Sequence, residues 1–327
     1  MGAPARRPRT GRRPPVAGLP ASPMWCDISV TQGVGRRGGA REVCIPGMPA
    51  SRGTPAACGR ALGGLAIGMA TDTARLRIDA LHRYPVKGLS PEPLAAVALT
   101  PGAYVPGDRL YAVENGPSGF DPLAPVHQPK VKYLMLMRNE ALARLRTRYD
   151  AGILTIREGG REVVRGDLCQ PEGRLAVEAF LRRFMPGELR GPPKVLAAPE
   201  GHRFTDSRRG FVSLINLASV AAVADMVGAP VDPLRFRANL HVDGLAPFAE
   251  LDLVGSTLVS EAGVRLTVTQ RTQRCAATNV DPATGARDLA IPAALQRHLG
   301  HPDCGVYAEV SDGGTLRPGE VLRVMPA

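Results

Sequence analysis

Residues 76–83, Leu76-Arg77-Ile78-Asp79-Ala80-Leu81-His82-Arg83, decide how the rest of the chain is read, because Leu76, Ile78, Ala80 and His82 alternate with Arg77, Asp79 and Arg83. A two-residue period is that of a strand with one buried face. Working outward, similar patterns predict strands at residues 109–114, 131–137, 235–242, 257–260, 264–270, 305–310 and 321–325, and a hairpin of 153–156 with 162–165 around Gly159-Gly160. Helices are fewer: 140–149 behind the capping residue Asn139, 172–184, 217–227 ending at Gly228, and one opened by Pro292 and closed by Gly300. Strands dominate without regular strand–helix alternation, so the expected fold is mainly β with peripheral helices (α+β), not a doubly wound sheet. Pro/Gly-rich residues 186–199 and polar residues 201–210 place a boundary between two halves near residue 195.

Before residue 69 the texture is different. Ten Arg against Asp27 and Glu42 give residues 1–68 eight of the chain's eleven net positive charges, amid Pro, Gly and Ala without apolar periodicity. This head reads as a disordered Arg/Pro/Gly-rich extension, and the break predicts Met69 as the true start. The remainder of the 327 residues is close to neutral, so a nucleic-acid surface is not called for, and no apolar run has the length of a membrane-spanning helix. Single cysteines with no CxxC pair fit a reducing compartment, and a cytoplasmic, monomeric protein is expected. His298, His301 and Cys304 have metal-like spacing, but Gly300 and Pro302 break the helix that would align them.

Chemistry concentrates in a few loops. Cys275 lies in Gln273-Arg274-Cys275-Ala276-Ala277-Thr278-Asn279-Val280-Asp281-Pro282, between a strand and the turn Asp281-Pro282-Ala283-Thr284-Gly285. With Arg274 beside it, it reads as a soft metal ligand or nucleophile, or else as a small buried hydrophobe. Tyr84-Pro85-Val86-Lys87-Gly88 ends the first strand and Gly107-Asp108-Arg109 opens another. Lysine and arginine converging from such loops hold phosphates, and also occur merely solvated at strand ends. Arg235, Arg237 and Asn239 alternate on one face of a predicted strand, which is either an exposed edge or a wall facing an anion.

The ordered set YPVKG, GDR, FTDS, FRANLHV, QRCAATNVDPATG, CGVYAEV and GTLRPGEVLRV, spanning about residues 76–324, resembles the MOSC family in its subgroup with an N-terminal β-barrel domain, which includes the amidoxime reducing component and bacterial relatives. The resemblance implies a MOSC N-terminal β-barrel-like domain at 76–195 packed on a MOSC β-barrel at 196–327. It implies a molybdenum–molybdopterin cofactor, with Cys275 as the catalytic metal ligand and Lys87, Gly88, Arg109, Asp206, Ser207, Arg237, Asn239, Gln273 and Arg274 binding the cofactor. Ala238 stands where the family usually has Pro, and Gly88 where amidoxime reducers often have Ser. The implied activity is reduction of N-hydroxylated compounds to amines. Electrons would come from a separate protein of ferredoxin, flavodoxin or cytochrome b5 type. The alternative is a cofactor-binding or sulfur-carrier module without turnover of its own.

Overall fold

The alternation at residues 76–83 becomes β1 (Arg75–Arg83), with Leu76, Ile78 and Leu81 buried. A bulge between Ile78 and Ala80 shifts the register, so Leu81 faces inward where the strict period placed Ala80 and His82. The structure, a computed structural model, describes residues 74–208 and 211–326. The head assigned to residues 1–68 lies outside them. After β1 the chain forms β2 (Glu92–Leu94), β3 (Val97–Leu99), β4 (Tyr111–Asn115), β5 (Leu145–Asp150), β6 (Ile153–Glu158), β7 (Arg161–Asp167), α1 (Pro171–Phe184) and β8 (Pro193–Ala197). It continues with β9 (Val212–Asn216), α2 (Leu217–Val227), β10 (Leu240–Asp243), β11 (Thr257–Ser260), β12 (Arg265–Gln273), α3 (Ile291–Leu299), β13 (Asp303–Asp312), β14 (Gly314–Leu316) and β15 (Val321–Met325).

Seven strands close a barrel in the order β1, β10, β9, β13, β12, β11, β15, because β10 and β15 both pair with β1. Within it β9 and β10 run parallel and the other pairs antiparallel. Closure leaves no stave with an open edge. Inward residues such as Ile78, Leu214, Val242, Leu258, Leu266 and Val306 fill it. By chain order β1 starts the first half, yet it is a stave of the barrel whose other six strands follow residue 211.

A second core, with Val113, Leu134, Leu145, Ile156, Leu181 and Val195, sits under the β4–β8 pair, the β5–β6–β7 meander and α1. Gly159 and Gly160, both at positive φ, make the two-residue turn between β6 and β7. The fold is mainly β with peripheral helices, as the pattern implies. Three local expectations differ. Residues 131–137 are not a strand: they start in a 3-10 turn (Lys130–Lys132) and only Tyr133 bridges to Glu114. Residues 140–149 are not one helix but a 3-10 turn (Glu140–Arg144) running into β5. Residues 235–242 are a 3-10 turn (Pro233–Phe236) before the short β10.

Candidate functional site

A cleft of about 420 Å³ opens between the loop after β1, the segment 204–207, the turn before β10 and the end of β12. Lys87, Gly88, Arg109, Asp206, Ser207, Arg237, Asn239, Gln273, Arg274 and Cys275 all line it. The sequence therefore names residues that the fold brings together from segments far apart.

The loop after β1 is held by Lys87 N donating to Tyr111 O at 2.8 Å. Gly88 sits at φ 84°, and a Cβ there would meet Leu134 O at 2.9 Å, so the position requires glycine. Asp108 accepts from Tyr84 N at 2.8 Å and from Arg109 Nη1 at 2.7 and 2.6 Å. Arg109 Nη2 donates to Arg237 O at 3.0 Å, and Arg237 Nη1 to Leu89 O at 2.8 Å. Both guanidinium carbons lie 4.4 Å from the ring centre of fully buried Tyr84. Burial pushes the Tyr84 hydroxyl up to about 12. Burial, with Arg109 close by, lowers Arg237 to about 10.

Lys87 Nζ donates to Phe204 O at 3.0 Å and pairs with Asp206, whose other oxygen is 3.5 Å from Lys130 Nζ. Burial lowers the Lys87 ammonium against the pull of Asp206. Burial alone would raise Asp206, but Lys87 and Lys130 hold it well below the usual carboxylate range. Asp206 and the neighbouring Cys275 side chain together overcome the burial of Lys130 and raise its ammonium. Cys275, half-buried, precedes the 3-10 turn Ala276–Asn279, and its carbonyl accepts from Thr278 N at 3.1 Å and Thr278 Oγ1 at 3.0 Å. Ser207 Oγ accepts from Gln270 Nε2 at 2.6 Å, which ties the 204–207 segment to β12.

Some residues in the cleft are occupied by the fold itself. Arg235 does not share a strand face with Arg237: it lies in the 3-10 turn and forks onto Asp288 at 2.8 Å, with Asp281 at 3.2 Å. Asn239 spends its amide on Ser213 and the His82 carbonyl. Arg274 donates to the carbonyls of Cys304 and Phe236. Its Nη2 and the Thr272 hydroxyl are buried without a partner among the described residues. Gln273 is exposed at the last position of β12. Lys130 is the contributor that sequence reasoning missed. Its one signal is a cation directly after Pro129, in a stretch whose apolar residues suggest a strand.

Seven cationic side chains and two carboxylates line the cleft, a lining of net positive charge that favours anions. A cysteine side chain at its wall adds a soft donor.

Residues 201–323 match the MOSC domain and residues 75–182 the MOSC N-terminal beta barrel domain. No curated protein matches the chain. Similar solved structures include YuaD of Bacillus subtilis, at 12% identity over 77% of this chain and 97% of that one with a TM-score of 0.38. Another is YiiM of Geobacillus stearothermophilus, at 19% identity over 40% of this chain and 67% of that one with a TM-score of 0.30.

Proposed function

Because this chain belongs to the MOSC domain family, whose members are associated with molybdenum-cofactor binding, we propose that the cleft holds a pterin-bound molybdenum and that the protein reduces N-hydroxylated compounds to amines. The observation that carries this reading is the meeting of Cys275 with Lys87, Arg109, Lys130 and Arg237 in one cation-rich cleft. The residues present fit the group. A phosphate-bearing pterin needs several cations, and the two orphaned donors, the Thr272 hydroxyl and Arg274 Nη2, are groups that gain from a bound acceptor. A cysteine thiolate is a suitable ligand for a soft metal.

The bound cofactor supplies two-electron oxygen-removal chemistry, and the protein supplies position and electrostatics. Lys87, Arg109 and Arg237 are the anchoring cations, while Asp108 fixes the Arg109 guanidinium so that it is oriented before binding. Tyr84 packs beside both arginines and keeps water from that wall. In the overall reaction the N–O bond breaks, two electrons from an electron-transfer protein and two protons are consumed, and the amine and one water leave. Lys130 and Asp206 stand at the Cys275 side of the cleft, where a proton is needed.

Cys275→Ser tests the reading. In the full chain expressed in a cofactor-competent host, molybdenum content and benzamidoxime reduction should both be lost while the melting temperature stays the same. A variant that keeps both removes the central claim. A wild-type protein that retains molybdenum and pterin yet reduces no N-hydroxylated compound is instead a cofactor-binding or sulfur-carrier module.

A further inference from the structure

The β5–β6–β7 meander turns Leu145, Leu154 and Ile156 into the second core, so its opposite face is open. On that open face Arg146 of β5 stands directly opposite Arg157 of β6. Arg148 is opposite Thr155, which is in turn opposite Arg165 of β7. Residues directly opposite across a ladder share a face, so four arginines form one block, all of them exposed. The block is roughly 7 Å long by 10 Å wide, from the strand repeat and spacing. Like charges directly across a ladder are destabilising. Yet no ion pair among the described residues involves Arg148, Arg157 or Arg165. Arg146 is held by the carbonyls of Ala143 and Ala283, while the other three charges serve no ion pair of the fold among the described residues.

The block is bounded. Asp150 and Asp167 lie at one end of the sheet, and Glu162 faces Arg157 at the other. A long polyanion laid across the face would meet these carboxylates, whereas a compact acidic cluster on a folded protein fits between them. At one edge the arginine-bearing strands touch the turn downstream of Cys275. Arg146 Nη2 donates to Ala283 O at 3.1 Å, and Gly285 packs close to the Arg144 side chain. Both belong to the turn that follows Cys275 and its 3-10 segment.

We propose that this arginine face is the docking surface for an acidic electron-transfer protein, seated beside the turn that follows the Cys275 segment. The inference rests on the reductase reading for its partner, and on register, exposure and charge for its place. The probe is an acidic plant-type [2Fe–2S] ferredoxin, titrated against the cofactor-loaded full chain at low and high salt. Arg148→Ala, Arg157→Ala and Arg165→Ala combined should weaken ferredoxin binding about tenfold or more at low salt and abolish most of its salt dependence. The corresponding triple Lys variant should restore binding, and benzamidoxime reduction driven by reduced methyl viologen should stay at the wild-type rate in both. Equal ferredoxin affinity in wild type and the Ala triple overturns the proposal, as does stronger binding of a DNA duplex or of phosphatidylserine vesicles than of ferredoxin. If ferredoxin binds through the arginines but viologen drives no turnover in the wild type, the docking surface stands and the reductase reading falls.

Discussion

Arg109 and Arg237 occupy left-handed backbone, at φ 47° and 53°, and are two of four non-glycine residues at positive φ among those described. Such conformations cost on the order of 1 kcal/mol or more and persist where the surroundings hold them. Here the hydrogen bonds from Arg109 N to Tyr84 O and from Arg237 N to Leu234 O do so. The strain makes Arg237→Asn a better probe than Ala, since Asn tolerates this region. Loss of one partly buried charge-assisted contact to a phosphate, about 1.5–3 kcal/mol, should lower molybdenum and pterin retention roughly ten- to a hundredfold. Arg161→Ala, exposed at the start of β7, should leave retention unchanged. Full retention by Arg237→Asn at an equal melting temperature would show that the phosphate is held elsewhere. Arg287 is unsuitable as the comparison. Its guanidinium donates to the carbonyls of Ala276, Leu136 and Met137 and pairs with Glu140, so it braces the Cys275 turn. At this scale the sequence is legible where a short motif carries both backbone and charge, as in YPVKG and GDR. It is illegible for Lys130, whose approach to Cys275 depends on a turn, and for Asn239, whose amide is consumed by its neighbours.

Elements were readable where their ends carry chemistry of their own. Asn216 Oδ1 accepts from Ala218 N at 3.1 Å and Gly228 sits in the left-handed region, so α2 has the bounds its sequence implies. Residues 140–149 misled because Leu142, Leu145 and Tyr149 also satisfy a helical period, while pairing of β5 with β6 depends on a partner that no local window contains. Asn139, expected as a cap, instead accepts from Met135 N. The seam between β1 and β10 is a further case, since sequence shows two histidines but not their meeting. His82 and His241 have ring centres 4.6 Å apart, and His82 Nδ1 and His241 Nε2 are buried without partners among the described residues. Burial, then the neighbouring His82, lowers His241 to about 4 from 6.5. Burial lowers His82 too, with Asp232 and Asp79 opposing. The unfolded chain therefore takes up protons below pH 6.5 that the folded seam refuses until about pH 4, so stability falls as pH drops through that window. The loss from His241 should reach about 3 kcal/mol at the bottom of the window. Urea unfolding at pH 7.5 and 4.5 should show it, and His241→Val should flatten the difference. An unchanged pH slope in that variant would assign the acid sensitivity to other groups.

For the whole molecule, the patterns that mark strands say nothing of their order, and order is what makes a barrel. β1 closes it by pairing Leu76 with Leu322 and Leu81 with Leu240, contacts that span most of the described chain. No local rule ranks these pairings above a simple meander, so the β-rich class is legible and the closed seven-stranded order is not. The same closure separates two truncations. Every stave lies between Arg75 and Met325. Removing residues 1–68 should thus leave the melting temperature, molybdenum content and activity at their full-length values. Removing residues 1–84 deletes a stave, strips Leu76, Ile78 and Leu81 from the core, and leaves β10 and β15 with open edges. Truncating one buried Leu or Ile costs about 2–5 kcal/mol, so losing three approaches or exceeds the ~5–15 kcal/mol that holds a typical domain together. The shorter chain should be insoluble or lack a cooperative melting transition. A soluble, cooperatively melting chain lacking residues 1–84 would mean that the remaining strands close without β1, and failure of the chain lacking only 1–68 would assign the head a part in the fold.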